Sequence, residues 1–130
     1  MSNIMVVDDS LFMRTMITSM LRELGHTVCC EASTGNEAID NYKLFRPDVV
    51  TMDITMPDMN GLTALKEIIS FDPQAKIILC SALYSQSIIL LGLRDGAIDF
   101  VEKPISMKQL ETAIWNAAPA SRIENSPSLK

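Results

Sequence analysis

Three aspartates stand where apolar runs stop: Asp8 and Asp9 follow Ile4-Met5-Val6-Val7, and Asp53 follows Val49-Val50-Thr51-Met52. An apolar run of that length, broken at once by turn or helix signals, reads as a buried strand of a parallel sheet. Carboxylates at the ends of two such strands converge on one edge of the sheet. Three like charges repel there, which raises their proton affinity unless a cation neutralises them. A hard divalent ion with oxygen ligands meets that need, and Mg²⁺ keeps waters and open positions for a phosphate.

Two further expected strands carry polar groups at their carboxyl ends, one Ser81 and one Lys103. Each residue alone has an ordinary structural explanation. Asp9 or Ser10 can cap the helix that follows, Ser81 can be a turn residue, and Lys103 a solvated strand end. Together they place an acid cluster, a hydroxyl and an ammonium on one rim, which is equipment for phosphoryl transfer. One carboxylate attacks and becomes an acyl phosphate, while metal and lysine neutralise charge on the transferring group. Asp53 is the expected nucleophile, because it stands alone on the middle strand opposite the pair. Asp8, Asp9 and Asp53 are then the metal carboxylates, with the backbone carbonyl of Thr55 as a further oxygen. Lys103 pairs with one phosphoryl oxygen and Ser81 donates to another.

The elements that must position these groups alternate five times. Strands are expected at Asn3–Val7, Thr27–Ala32, Asp48–Met52, Lys76–Cys80 and Ile98–Glu102. Helices are expected at Ser10–Leu24 with Gly25 past its end, Asn36–Phe45 closed before Pro47, Leu62–Phe71, Gln86–Asp95 stopped by Gly96, and Met107–Ala117. Strand–helix alternation with short connections implies right-handed crossovers and an α/β, doubly wound parallel sheet covered on both faces by five helices. Ligands of such sheets bind outside the carboxyl ends of the strands.

The 130 residues suffice for one domain, residues 1–118. Residues 119–130 are polar, proline-bearing and aperiodic, and are expected to form a disordered tail. A net charge of −5 with no basic stripe argues against a nucleic-acid surface. Without a basic n-region or a membrane-length apolar segment, neither a signal peptide nor membrane insertion is expected, and the chain is expected in the cytoplasm. Cys29, Cys30 and Cys80 lie in apolar runs with no metal spacing and read as buried small hydrophobes. His26 reads as a loop residue, and most of the nine methionines as core filler.

The motifs Val7-Asp8-Asp9-Ser10, Met52-Asp53-Ile54-Thr55-Met56-Pro57-Asp58-Met59-Asn60-Gly61, Cys80-Ser81-Ala82, Asp95-Gly96-Ala97 and Lys103-Pro104 recur together in one family. From Asn3 to Ala117 the chain resembles the receiver domains of two-component response regulators, the single-domain chemotaxis regulators in particular. The spacings agree as well: 44 residues from Asp9 to Asp53, 28 on to Ser81 and 22 on to Lys103. The resemblance implies the strand order 2-1-3-4-5, a sensor histidine kinase as phosphodonor, and a downstream target such as the flagellar motor switch. It implies a phosphoacceptor signalling protein, not an enzyme with a separate substrate. A cis Lys103-Pro104 peptide and an aromatic switch at Phe100, paired with the hydroxyl at Ser81, are also implied.

Three positions depart from the family pattern. Phe100 lacks the hydroxyl that a tyrosine there carries. Thr55 and Leu83 stand where many relatives place acid or amide groups that position the hydrolytic water. Slow self-dephosphorylation, with a dedicated phosphatase to reset the switch, is the expectation.

The helix at Gln86–Asp95 is apolar nearly all round, with Leu90, Leu93 and Ala97 on one stripe and Ile88 and Leu91 about opposite. It is either deeply covered or presents a sticky face, with Tyr84, Ile89, Leu93 and Phe100 as the output surface. Among other readings, a haloacid-dehalogenase-type phosphatase needs an acid at Thr55, and a flavodoxin-like FMN carrier would be repelled by the acidic rim. Within the family, the chain could be a receiver from a longer regulator (a methylesterase or transcription factor), a phosphorelay intermediate or a phosphate sink.

Overall fold

The computed structural model describes residues 2–82 and 86–117. The chain runs β1 (Asn3–Val7), α1 (Leu11–Glu23), β2 (Thr27–Ala32), α2 (Gly35–Phe45), β3 (Val49–Asp53), α3 (Gly61–Phe71), β4 (Ile77–Ser81), α4 (Gln86–Arg94), β5 (Asp99–Glu102) and α5 (Met107–Ala117). All strand pairs are parallel and the order is β2-β1-β3-β4-β5, as the resemblance implied. The expected tail at 119–130, Leu83 and Tyr84 lie outside the described residues.

Burial explains which runs were continuous. Every residue of β3 and β4 is buried, and so are Ile4 through Val7 of β1, because helices cover both faces of these central strands. The pleat sends alternate side chains to opposite faces. Met5, Val7, Val50, Met52, Ile77 and Leu79 meet α2, α3 and α4 through residues such as Ala38, Leu65 and Ile68. Ile4, Val6, Val49, Ile78 and Cys80 meet α1 and α5 through Ile17, Leu21, Leu110 and Ile114. Truncating one such side chain, Leu65→Ala for example, removes about 2–5 kcal/mol.

Several ends fall a residue or two from expectation, each for a local reason. Thr34 caps α2 by accepting the Glu37 N–H at 3.1 Å, so the helix begins at Gly35. Asn60 accepts the Leu62 N–H at 2.7 Å and starts α3 at Gly61. Asp53 and Ser81 are the last residues of β3 and β4, not the first residues beyond, because the ladder continues past them with Ile54 N–H donating to the Cys80 carbonyl at 3.3 Å. Asp48 is outside β3; its carboxylate instead takes the Asn3 N–H at 2.8 Å. Past α1 and α4, Gly25 and Gly96 take φ of 91° and 116°, a conformation that glycine alone adopts without strain.

Two expectations need correction. Of the two readings of α4, deep cover fails, and of the Ile88 and Leu91 stripe only Ile88 turns inward. Ile88 and Gly92 face the sheet, leaving Leu90 59%, Leu91 39% and Leu93 44% exposed. Gly92 explains the narrow seat, since a Cβ there would stand 2.5 Å from Leu79 Cδ1. Cys80 is buried, but Cys29 and Cys30 are only half-buried, because β2 is an edge strand. Met5, Met52 and Met56 are core residues, with Met13, Met20 and Met59 packed against it. His26 Nδ1 accepts the Ser2 N–H at 3.1 Å in the loop before β2. Among the described residues no helix is long and apolar enough to cross a membrane.

Candidate functional site

β1 delivers Asp8 to the rim while keeping its backbone on the sheet: its N–H donates to the Ala32 carbonyl at 3.0 Å. Asp8 Oδ1 accepts the Ser10 N–H at 2.9 Å, an Asx turn that opens α1. Ser10 Oγ in turn accepts the Met13 N–H at 3.3 Å, so Ser10 is the helix cap and Asp9 is left exposed. β3 ends in Asp53, which is 6% exposed. The carboxylate oxygens that Asp8, Asp9 and Asp53 offer all lie within 4.8 Å of one another.

Lys103 follows β5. Its N–H donates to the Ser81 carbonyl at 2.8 Å, which fixes the end of β5 against β4. Its Nζ then reaches Asp8 Oδ2 at 2.8 Å and Asp53 Oδ1 at 3.3 Å. The Lys103-Pro104 peptide is cis, as the resemblance implied. Ser81 is buried at the end of β4, next to Cys80, the register partner of Asp53. Thr55 is exposed in the loop after β3.

The charges are in tension. Burial pushes the Asp53 carboxyl above the usual carboxylate range; Lys103 opposes this, and Asp8 and Asp9 add to it. Burial also works against the Lys103 ammonium, yet its hydrogen bonds and charge contacts with Asp8 and Asp53 prevail and hold its pKa above the ordinary lysine value. Both partners therefore hold their protons more tightly: the lysine because it is paired, the aspartate because desolvation outweighs that pairing.

Two residues that brace this rim were missed from the sequence. Arg14 Nη1 donates to the Asp8 carbonyl at 2.8 Å, and its Nε pairs with Glu31 Oε1 at 3.0 Å, tying the acidic turn to β2. A cation near a helix N-terminus, where the dipole favours anions, was the available signal. Asp58, in the loop after β3, accepts Gly35 N–H at 2.8 Å and Asn36 N–H at 2.9 Å, so it ties that loop to the first turn of α2. Those two amides hold its carboxyl below the ordinary range. The unpaired first-turn N–H groups of a helix always need acceptors, but nothing local said that this aspartate would supply them.

Ile89, Leu93 and Phe100 come together away from the acids, lining one hollow of about 510 Å³ among α4, β5 and α5 with Glu102, Lys108 and Gln109. Phe100 is half-buried and also packs against the core beneath α4.

A parallel sheet of this order with a lysine clamped across strand-end acids fits the class that the resemblance implied, the phosphorylation-activated switches. Comparison with known proteins narrows the class. The family model described as the response regulator receiver domain matches residues 4–115. The chemotaxis protein CheY of Bacillus subtilis is 49% identical over 111 residues, 85% of this chain and 92% of that protein. CheY of Thermotoga maritima is 45% identical over the same shares of each chain. A chain in the crystal structure of the CheX–CheY–BeF3–Mg complex from Borrelia burgdorferi has a TM-score of 0.86 at 34% identity, covering 88% of this chain and 87% of that one.

This chain belongs to the response regulator receiver domain family. It is a signalling protein, not an enzyme with a substrate of its own, and a histidine kinase as donor and a downstream target follow from that membership. The dehalogenase-type and FMN-carrier readings are thereby set aside.

Proposed function

We propose that the chain carries a chemotaxis signal, with Asp53 as the residue that accepts the phosphoryl group. The observation that carries this is how the rim divides its oxygens. Asp8 has Oδ1 on the Ser10 N–H and Oδ2 on Lys103, whereas Asp53 meets Lys103 through Oδ1. Asp53 also ends the central strand of the sheet, in the middle of the rim. A carboxylate oxygen of Asp53 forms the P–O bond as the P–N bond to the kinase histidine breaks.

The three carboxylates are a hard oxygen set of the kind Mg²⁺ takes, and the Thr55 carbonyl is the further oxygen in this proposal. Bound there, Mg²⁺ would neutralise charge on the phosphoryl oxygens. Lys103, already charged and shared between two acids, moves part of its interaction to the new dianion. The buried Ser81 hydroxyl donates to a second phosphoryl oxygen, and Phe100 is the aromatic that responds. The output surface is Ile89, Leu93 and Phe100, with Tyr84 beside them in sequence order, and its partner is a flagellar motor switch protein in the cytoplasm. Thr55 and Leu83 supply no acid or amide for the hydrolytic water, so reset falls to a dedicated phosphatase.

Labelling from a radioactively phosphorylated histidine kinase in Mg²⁺ tests the core of this reading. The parent chain is expected to take up label and Asp53→Asn to take up none. Labelling of Asp53→Asn at the parent rate would overturn it.

A further inference from the structure

The pairing of edge strand β2 with β1 is irregular. Ile4 pairs with Val28 and Met5 with Cys30, so Cys29 is the extra residue of a β-bulge. In a regular strand, neighbouring side chains point to opposite faces. Here the alternation is broken, and the Cys29 and Cys30 sulfurs lie 3.8 Å apart. Cys29 Sγ also donates to the Ile4 carbonyl at 3.7 Å, which fixes its direction. Both thiols are half-buried and within reach of small reagents, unlike Cys80, which is 1% exposed.

The geometry selects what can join them. Neighbouring Cα atoms across a trans peptide are about 3.8 Å apart, short of the roughly 4.4–6.8 Å that an unstrained disulfide spans. A direct S–S bond is therefore disfavoured, while one bridging atom between the sulfurs removes the need for it. That atom must be soft, since thiols select soft acceptors. Burial, and then the neighbouring Cys29, pushes the Cys30 thiol up to about 12. A metal ion that requires two thiolates is penalised by this. An acceptor that carries away both thiol protons itself is not.

We propose that Cys29 and Cys30 form a vicinal-dithiol site for a trivalent arsenical, R–As=O. Two As–S bonds form, the As=O bond and both S–H bonds break, and the oxygen leaves with the two protons as water. Arsenic stays trivalent, so no oxidant or reductant is needed. The site lies on edge strand β2 and shares no residue with the acid rim of Asp8, Asp9 and Asp53.

Phenylarsine oxide added to the folded, full-length chain tests it by intact mass. The expected adduct is one reagent less one water, retained against excess monothiol and removed by a dithiol. Cys29→Ser and Cys30→Ser should each lose the monothiol-resistant adduct, and Cys80→Ser should keep it. A wild-type adduct stripped by monothiol, equal retention by Cys29→Ser, or an adduct formed only in denaturant would each overturn the proposal. Capture of cadmium by the same pair, with no retained arsenical, would also overturn it.

Discussion

Replacing Asp53 by asparagine isolates the electrostatic tension of the rim. Asp53 is nearly buried, and its carboxylate lies within 4.8 Å of that of Asp8. At an effective dielectric of about 20, two unit charges at that distance repel by ~3.5 kcal/mol. On the same footing Lys103, at 3.3 Å, attracts Asp53 by ~5 kcal/mol. Asp9 adds a solvent-screened share of repulsion, so the charge terms nearly cancel and desolvation sets the sign. That sign is visible in the raised carboxyl, for which burial is the leading cause. Between the unfolded carboxylate value, about 3.9, and the raised folded value, the native chain keeps a proton that the unfolded chain has released. The stability contributed by Asp53 is therefore full below about pH 4 and is lost as pH rises through the folded value. Asparagine keeps the shape and has no charge to desolvate. At neutral pH without divalent metal, Asp53→Asn should be more stable than the parent by roughly 1 kcal/mol, the size of a remainder between such terms. This corresponds to a few degrees in Tm. Thermal unfolding by circular dichroism in metal-free buffer, from about pH 4 to about pH 8, reads the effect. The gap should widen with rising pH. A variant less stable than the parent at neutral pH, or a gap that ignores pH, would refute the reasoning.

Gly61→Ala places a Cβ against the Asp53 carbonyl and 2.8 Å from Ile54 Cα, backbone atoms that cannot step aside singly. We expect a loss of about 1–3 kcal/mol in thermal unfolding together with slower labelling by the kinase; parent-like values of both would remove the argument. Leu83→Gln combined with Thr55→Asn restores groups able to hold the hydrolytic water. The phosphorylated lifetime should shorten by about ten-fold, or ~1.4 kcal/mol of barrier, in a label-release assay, and an unchanged lifetime counts against the role assigned to these positions.

The rim was legible because of burial. Strands covered on both faces must be apolar throughout, so β1, β3 and β4 stood out as unbroken runs, and a polar residue ending such a run has few places to be except the edge. Asp8, Asp53 and Ser81 were found that way, although two of them proved to lie inside their strands; Lys103, after the mixed-polarity edge strand β5, was legible only from the strand–helix alternation. What stayed hidden depends on contacts between distant segments. Arg14 reaches Glu31 and the Asp8 carbonyl, and Asp58 caps a helix 22 residues away at Asn36, with no local pattern announcing either. α4 was ambiguous because apolar residues surround it, and a residue without a side chain, Gly92, decides which face turns inward. The bulge that brings Cys29 beside Cys30 belongs to the register between two strands, so a single strand's sequence does not reveal it.

On the proposed reading, β5 is the part through which a charge at Asp53 is felt at the output groove. Its last residue precedes Lys103, whose ammonium is held by both acids, and Phe100 lies three residues earlier at the wall of the hollow beside α4. A phosphoryl group brings roughly one further negative charge to the rim. Lys103 has three ammonium N–H donors, two of them held by Asp8 and Asp53, so the new oxygens compete for it and favour drawing its strand end toward the site. β5 can respond because it is a four-residue edge strand paired on one side only, with only Val101 among its residues buried. The central strands, packed on both faces and paired on both edges, would have to break far more contact to move. A switch built on this fold is thus expected to shift the edge and hold the middle, so the acids remain in place while the wall beside Phe100 is rearranged.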